Sequence, residues 1–107
     1  MNELRDDAYL QHIRDAIKSV ESYLQGIDEQ AFQGSQLIQD GVIRQLMIIG
    51  EAAKRLSDAF KNERPQVPWR QITGMRDKLV HDYLGVDLSA VWDTASVDLP
   101  ALYKLLE

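Results

Sequence analysis

Residues 46–50, LMIIG, are apolar on nearly every side of a helix and decide the fold more than any other stretch. They lie in a run over residues 37–60 whose apolar side chains recur at helical spacing, with Ser35 or Asp40 as candidate N-caps. A helical segment that is apolar all round is expected to be buried on more than one side. Gly50 lowers helix stability unless another backbone packs closely against it. The run therefore predicts a central helix covered by its neighbours.

The preceding and following segments also predict helices. An amino-terminal helix is indicated by apolar residues at steps of three or four, namely Tyr9, Ile13, Ile17, Val20, Leu24 and Ile27. Pro68 suits the first turn of a further helix. We expect that helix to reach Leu84, with Gly85 as its stop and with Gly74 as the place where it divides or kinks.

The carboxyl-terminal segment predicts two more helices. One begins after Asp87, at Leu88, and Pro100 is expected to open a short final helix over residues 101–106. No segment alternates as a strand does, and the chain has no internal repeat. The predicted fold class is therefore all-α, a four- to five-helix bundle that forms one domain over residues 1–107.

The composition restricts the class of protein. The chain has 107 residues, enough for one domain, but it buries a smaller share of its surface than a larger protein, so partner chains would add stability. It has no cysteine, which excludes disulfides and thiolate metal sites. No apolar run approaches the roughly 20 residues of a membrane span, and the first residues are too polar for a signal peptide. We therefore predict a cytoplasmic protein.

Charge is distributed unevenly along the chain. The net charge is −5, which argues against general binding to polyanions. Residues 54–78, however, contain seven basic and three acidic residues, a net charge of +4 in an otherwise acidic chain. Such a segment is usually a solvated helix face, but it can also present a local site for an anion.

One motif combines three groups that suit phosphate chemistry. Arg76, His81 and Tyr83 follow the pattern Arg-x4-His-x-Tyr, which supplies a permanent cation, a group that titrates near neutrality and a phenol. On an ideal helix Arg76 and Tyr83 are nearly eclipsed, whereas Arg76 and His81 differ by roughly 140°. One copy therefore does not aim all three groups at one point. Two copies that face each other across a two-fold axis would bring each motif beside its twin.

The charged neighbours of the motif have a supporting role. Asp77 precedes His81 by four residues and is expected to orient or charge-stabilise the imidazole, while Lys78 and Asp82 have the spacing of an ion pair. Asp77, Asp82 and His81 are also potential ligands of a divalent metal ion. The two aspartates lie on different helix faces, however, and no second histidine is near. We therefore predict no metal site.

A purely structural interpretation of the same residues stays open. Arg76 would then be a surface ion-pair partner, His81 a satisfied, partly buried residue, and Tyr83 a core ring with its hydroxyl at the rim. Glu51, beside Gly50, needs a partner if it is buried, and either Arg76 or Arg44 qualifies.

Beyond these patterns, the sequence resembles HEPN-domain ribonucleases, and in particular the HepT-like toxins. The resemblance includes the Arg-x4-His-x-Tyr motif and extends in register from about residue 39 to residue 100. The other matching stretches are IIGEAAKRL at 48–56, VPWR at 67–70, GMR at 74–76, VW at 91–92 and DLP at 98–100.

The resemblance implies both an architecture and a function. The expected fold is an α-helical HEPN bundle that forms homodimers, with the paired motifs lining a cleft between the subunits. The expected activity is that of a metal-independent endoribonuclease without a cofactor, the toxin of a type VII-like toxin–antitoxin system. Its partners would be an RNA substrate and a minimal nucleotidyltransferase antitoxin, with which the homodimer would form a higher assembly.

The resemblance also assigns roles to the motif. Arg76 and His81 would be catalytic, with His81 as acid or base and Arg76 on the phosphate of the RNA. Tyr83 would be the regulatory residue to which the antitoxin transfers AMP from ATP. A non-catalytic helical adaptor that binds a nucleotidyltransferase is the main alternative, although an adaptor needs no titratable group beside a fixed cation. A nucleotide-binding module is disfavoured because the sequence lacks a glycine-rich phosphate loop.

Overall fold

The computed structural model describes residues 2–82 and 84–107, which form an all-α bundle. The longer helices are α1 (Asn2–Tyr23), α3 (Gln36–Arg55) and α5 (Trp69–His81), and the shorter ones are α2 (Glu29–Gln33), α4 (Asp58–Asn62), α6 (Leu88–Asp93) and α7 (Leu99–Leu105). The predicted fold class is confirmed. None of the helices in the described ranges is long and apolar enough to cross a membrane.

Helix α3 is the central element, as the LMIIG stretch predicts. It packs against α1 on one side and α5 on another, and it buries Val42, Leu46, Ile49, Gly50, Ala52 and Ala53. The core of α1 opposite it includes Ile13, Ile17 and Val20, each no more than 3% exposed. The stripe of α1 and the nearly all-round apolar face of α3 thus meet in one core.

The ends of α3 follow from its capping residues. Of the two candidate N-caps, Ser35 is the one used, because its hydroxyl accepts a hydrogen bond from the Ile38 amide at 3.3 Å. The periodic run over residues 37–60 is divided into two helices at Leu56, whose backbone is extended. Ser57 then caps α4 through its hydroxyl, which accepts from the Phe60 amide at 3.1 Å.

Helix α5 is continuous through Gly74 but ends at His81, so the prediction that it reaches Leu84 is wrong. Asp82 leaves the helical conformation with φ −108° and ψ 22°. Its carbonyl accepts a hydrogen bond from the Gly85 amide at 2.8 Å, which forms a turn where the next turn of helix was expected. Tyr83, for which a helical alignment with Arg76 was predicted, lies outside the described residues.

The predicted short final helix is confirmed as α7, which has Pro100 in its first turn and follows α6 without a break. A π-helical turn at Thr94–Asp98 joins α6 to α7, and the Leu99 amide bonds to the Thr94 carbonyl five residues back. Proline has no amide to donate, and the wider turn before it accommodates that loss within the run. Helix α2 was not predicted, although its Phe32 is fully buried.

Asp6 links the first part of α1 to the junction of α3 and α4 through hydrogen bonds. Its carboxylate is 8% exposed and accepts hydrogen bonds from the Ser57 amide at 2.8 Å and the Ser57 hydroxyl at 2.6 Å. Hydrogen bonds to a charged, buried acceptor are among the stronger ones in proteins.

We expect Asp6→Ala to lower the free energy of unfolding by about 1–3 kcal/mol, because the Ser57 amide loses its acceptor in a partly buried position. Asp7→Ala is the matched control, since Asp7 is exposed in the same turn of α1. Urea denaturation followed by circular dichroism measures both. Equal stability of the two variants would contradict the role given to Asp6.

Candidate active site around Arg76

A close approach of α3 and α5 fixes the backbone position of Arg76. A Cβ atom placed on Gly50 would lie 2.2 Å from the Cβ of Arg76 and 3.1 Å from the Ile72 carbonyl oxygen. Real Cβ atoms do not approach other atoms to 2.2 Å, so only glycine fits at position 50. The expectation that another backbone packs against Gly50 is confirmed, and the partner is the part of α5 that carries the motif arginine.

The Arg76 side chain is held in a cluster of charges. Its Nε lies 3.2 Å from Glu51 Oε2, and its Nη1 donates to Asp77 Oδ1 at 3.0 Å. The other oxygen of Glu51 accepts a hydrogen bond from Arg55 Nε at 2.9 Å. Of the two partners considered for Glu51, the structure selects Arg76 rather than Arg44. Arg55 is an additional partner that the sequence interpretation missed, although its i,i+4 spacing from Glu51 was a usable signal.

The Glu51 carboxylate affects the pKa of Arg55. That pKa is raised, first by the hydrogen bond to Glu51 and then by the nearby Tyr9 hydroxyl. Arginine is protonated at any physiological pH even without such help. The cluster therefore contains two permanent cations, Arg55 and Arg76, on either side of Glu51.

A shallow cavity of about 380 Å³ opens beside this cluster. Its lining combines apolar and charged side chains, namely Asp40, Ile43, Arg44, Met47, Ile48, Glu51 and Arg76. The apolar members come from α3 and are only partly buried. Arg76 is therefore accessible, with 31% of its side chain exposed, at the edge of a surface that one chain leaves open.

His81 lies elsewhere on α5. It is the last residue of the helix and is exposed, about 7.5 Å farther along the axis than Arg76. No hydrogen bond or ion pair within residues 2–82 and 84–107 joins its imidazole to Arg76 or Asp77. The structure thus brings Arg76, Asp77 and Glu51 together and leaves His81 separate within one chain.

The supporting residues differ in their surroundings. The Asp77 carboxylate, which was expected to orient His81, is instead paired with Arg76. Lys78 and Asp82 are both exposed, and the described part of the chain shows no ion pair between them. In the same ranges, no three His, Asp or Glu side chains are placed to hold a metal ion.

The two tryptophans pack within the chain. Trp69 donates its Nε1 hydrogen to the carbonyls of Lys61 and Arg64, each at 3.2 Å, and its ring meets Phe60 edge-on at 6.1 Å. The Trp92 ring packs at 5.5 Å from that of Phe32. Packing accounts for both rings, so base stacking is not needed to explain them.

Comparison with known proteins gives a consistent family assignment. A family model described as "Ribonuclease HepT-like" matches residues 13–107. A Thermococcus cleftensis protein named "Probable ribonuclease HepT" is 43% identical over 94 residues, which cover 88% of this chain and 86% of that protein. A Caldanaerobacter subterraneus protein named as a "Putative RNase" is 38% identical over 96 residues, covering 90% of this chain and 86% of the relative. No solved structure shows significant similarity.

Two glycine substitutions test the contact between α3 and α5. We expect Gly50→Ala to lower the free energy of unfolding by about 1–3 kcal/mol, because the new methyl group forces α3 away from Arg76 and Ile72. Gly74→Ala is the matched control, since Gly74 is exposed on α5 and has open space around it. There alanine should stabilise the helix by about 0.5–1 kcal/mol. Urea denaturation gives both values, and a Gly50→Ala protein as stable as the parent would argue against the close approach.

Proposed function

The chain belongs to the HepT-like ribonuclease family, and from this membership we propose that it is a metal-independent endoribonuclease acting as the toxin of a toxin–antitoxin system. The proposal treats residues 1–107 as a single HEPN domain that works in the cytoplasm as a homodimer. The observation that carries it is the position of Arg76, a permanent cation held at the edge of an open cavity by the packing of α3 on α5.

The chemistry assigned to the site is cleavage of the RNA backbone by its own 2′-hydroxyl. The 2′-oxygen forms a bond to the adjacent phosphorus while the bond from phosphorus to the 5′-oxygen breaks. A base takes the proton of the 2′-hydroxyl, and an acid gives a proton to the departing 5′-oxygen. Arg76 binds the nonbridging oxygens and stabilises the negative charge that develops on them. The products are a 2′,3′-cyclic phosphate and a 5′-hydroxyl.

In a homodimer, Arg76 of one subunit and His81 of the other would lie close together. Within one chain the two side chains are five residues apart along α5, and Arg76 faces the cavity on α3. The partly exposed apolar residues of that cavity, Ile43, Met47 and Ile48, gain from being covered. A second copy that covers them across a two-fold axis would place two motifs in one cleft. The two His81 imidazoles would then divide the roles of base and acid.

Tyr83 is proposed as the residue whose modification regulates RNA cleavage. A nucleotidyltransferase antitoxin would join the Tyr83 oxygen to the α-phosphorus of ATP, with loss of the hydroxyl proton and departure of pyrophosphate. The transferred AMP would add a phosphate and a bulky nucleoside seven residues from Arg76 in the chain. The added negative charge competes with RNA for the cation, and the nucleoside fills space in the cleft. Both effects would inhibit cleavage.

The alternative is a helical adaptor that binds a nucleotidyltransferase without cutting RNA. One observation favours it, because the Arg76 guanidinium is already paired with Glu51 and Asp77 and so has a structural role. The adaptor does not require His81, and the ribonuclease does. Activity of the His81 variant therefore separates the two functions.

We expect His81→Ala to lower the rate of RNA cleavage by at least about 100-fold, because the reaction loses a proton-transfer group. His12→Ala is the matched control, since His12 is exposed on α1 and lies outside the motif. Cleavage of total RNA and of tRNA, in the presence of EDTA, measures both variants against the parent. The ribonuclease proposal is wrong if His81→Ala cuts as fast as the parent, and loss of the parent's activity in EDTA contradicts its metal independence.

We expect intact mass spectrometry to show addition of AMP to the parent after incubation with ATP and the cognate nucleotidyltransferase. Tyr83→Phe should show no addition, because it lacks the acceptor hydroxyl. Tyr23→Phe, which removes a hydroxyl from an exposed tyrosine of α1, is the control and should be modified like the parent. A mass shift that persists in Tyr83→Phe places the modification elsewhere.

A further inference from the structure

Arg76 lies between two carboxylates that differ in their contacts with the rest of the chain. Glu51 reaches its Nε from the neighbouring helix at 3.2 Å, and Asp77 reaches its Nη1 from the next position in the chain at 3.0 Å. Nη2 has no hydrogen-bond partner among the residues that the structure describes. The two acids therefore occupy different parts of the same guanidinium group.

Glu51 is fixed in place by two independent contacts. Its second carboxylate oxygen accepts the 2.9 Å hydrogen bond from Arg55, so it cannot turn toward solvent without breaking two ion pairs. Its backbone follows Gly50, the residue at which α3 touches α5 beside Arg76. Glu51, 37% of whose side chain is exposed, thus has one ion-pair partner within α3 and one on α5.

Asp77 is held by one contact among the described residues, the hydrogen-bonded ion pair with Arg76. Its side chain is 50% exposed, and Arg76 is the partner that the structure gives it within the described ranges. An ion pair between exposed neighbours contributes little to stability and yields readily to a competing anion. Asp77 can therefore turn into solvent at small cost and leave Nη1 to a phosphate.

The difference between the contacts of Glu51 and Asp77 matters because the guanidinium group of Arg76 is planar. Its hydrogen bonds point in fixed directions, so holding Nε also fixes where Nη1 and Nη2 point. With Glu51 on Nε, the two terminal nitrogens together form a fork that matches two phosphate oxygens. Without Glu51, the long arginine side chain is free to rotate among its rotamers and loses that orientation.

We propose that Glu51 is a positioning residue for RNA cleavage, which holds Arg76 by Nε so that its terminal nitrogens face the scissile phosphate, and that Asp77 is a displaceable competitor for Nη1. This inference rests on the proposed ribonuclease function. Glu51 does not touch the substrate; it acts through Arg76. Removing either acid also leaves more net positive charge near the phosphate, which favours binding of RNA.

The two acids should affect different kinetic constants. Glu51→Ala is expected to lower kcat by about 10- to 100-fold, because Arg76 loses its orientation, while KM stays equal or falls. Glu51→Gln keeps an oxygen that can accept from Nε and should recover most of that kcat. Asp77→Asn should lower KM severalfold with kcat within about threefold of the parent, because the phosphate meets a weaker competitor. Glu21→Ala, an exposed acid on α1, is the control and should match the parent.

The cleavage assay and urea denaturation together distinguish a failure of the proposed function from a failure of the positioning role. A parent protein that cuts no RNA overturns the proposed function and, with it, any role of Glu51 in cleavage. If the parent cuts RNA and Glu51→Ala has the same kcat, only the positioning role is overturned. Urea denaturation shows whether Glu51→Ala is folded under the assay conditions, and a loss of kcat that merely follows the unfolded fraction counts against positioning.

The contact between Glu51 and Arg76 Nε can be observed without an activity assay. In ¹H–¹⁵N spectra the Arg76 Nε–H signal should lie away from the position of a solvated arginine in the parent and in Asp77→Asn, because the Glu51 carboxylate lies 3.2 Å from Nε. In Glu51→Ala it should move toward the position of a solvated arginine. An Arg76 Nε–H signal that does not change in Glu51→Ala overturns the proposal.

Discussion

The contact between Gly50 of α3 and α5 is the constraint on which the site depends. A side chain at position 50 would overlap with the Cβ of Arg76, so the two helices reach their observed separation only with glycine there. The contact costs helix propensity in α3 but brings the next residue, Glu51, within reach of the Arg76 guanidinium. One backbone feature therefore determines both the packing of the central helix and the electrostatic environment of the motif arginine.

The charges around Arg76 are arranged as alternating cations and anions. The net charge of −5 belongs to the chain as a whole, whereas Arg55 and Arg76 are paired locally with two carboxylates, those of Glu51 and Asp77. Electrostatic interactions between exposed charges are screened beyond about 10 Å, so the local arrangement decides what a nearby phosphate experiences. The apolar part of the adjoining cavity adds a surface that water solvates poorly.

The errors in the sequence interpretation arise where helices end or change period. Helical spacing over residues 37–60 continues through Leu56, yet the Ser57 hydroxyl starts a new helix there, partly because Ser57 is also bonded to Asp6 of α1. Helix α5 ends at His81 rather than Leu84 because the backbone turns at Asp82. A π-helical turn at Thr94–Asp98, which apolar spacing did not predict, joins α6 to α7. In each case a local hydrogen bond decides the boundary, and apolar periodicity does not report such bonds.

The sequence by itself determined the all-α class, the central position of α3 and a helix that carries Arg76 and His81. It also gave a close backbone approach as the condition for a glycine at position 50 of α3. These properties follow from the spacing of apolar residues and from the absence of a side chain at one position, both of which are local. Only the tertiary structure decided that Glu51 pairs with Arg76 and Arg55 rather than Arg44, and that Asp77 pairs with Arg76 rather than His81. Partners on different helices depend on the separation and rotation of those helices, and these are set by the packing of the whole core.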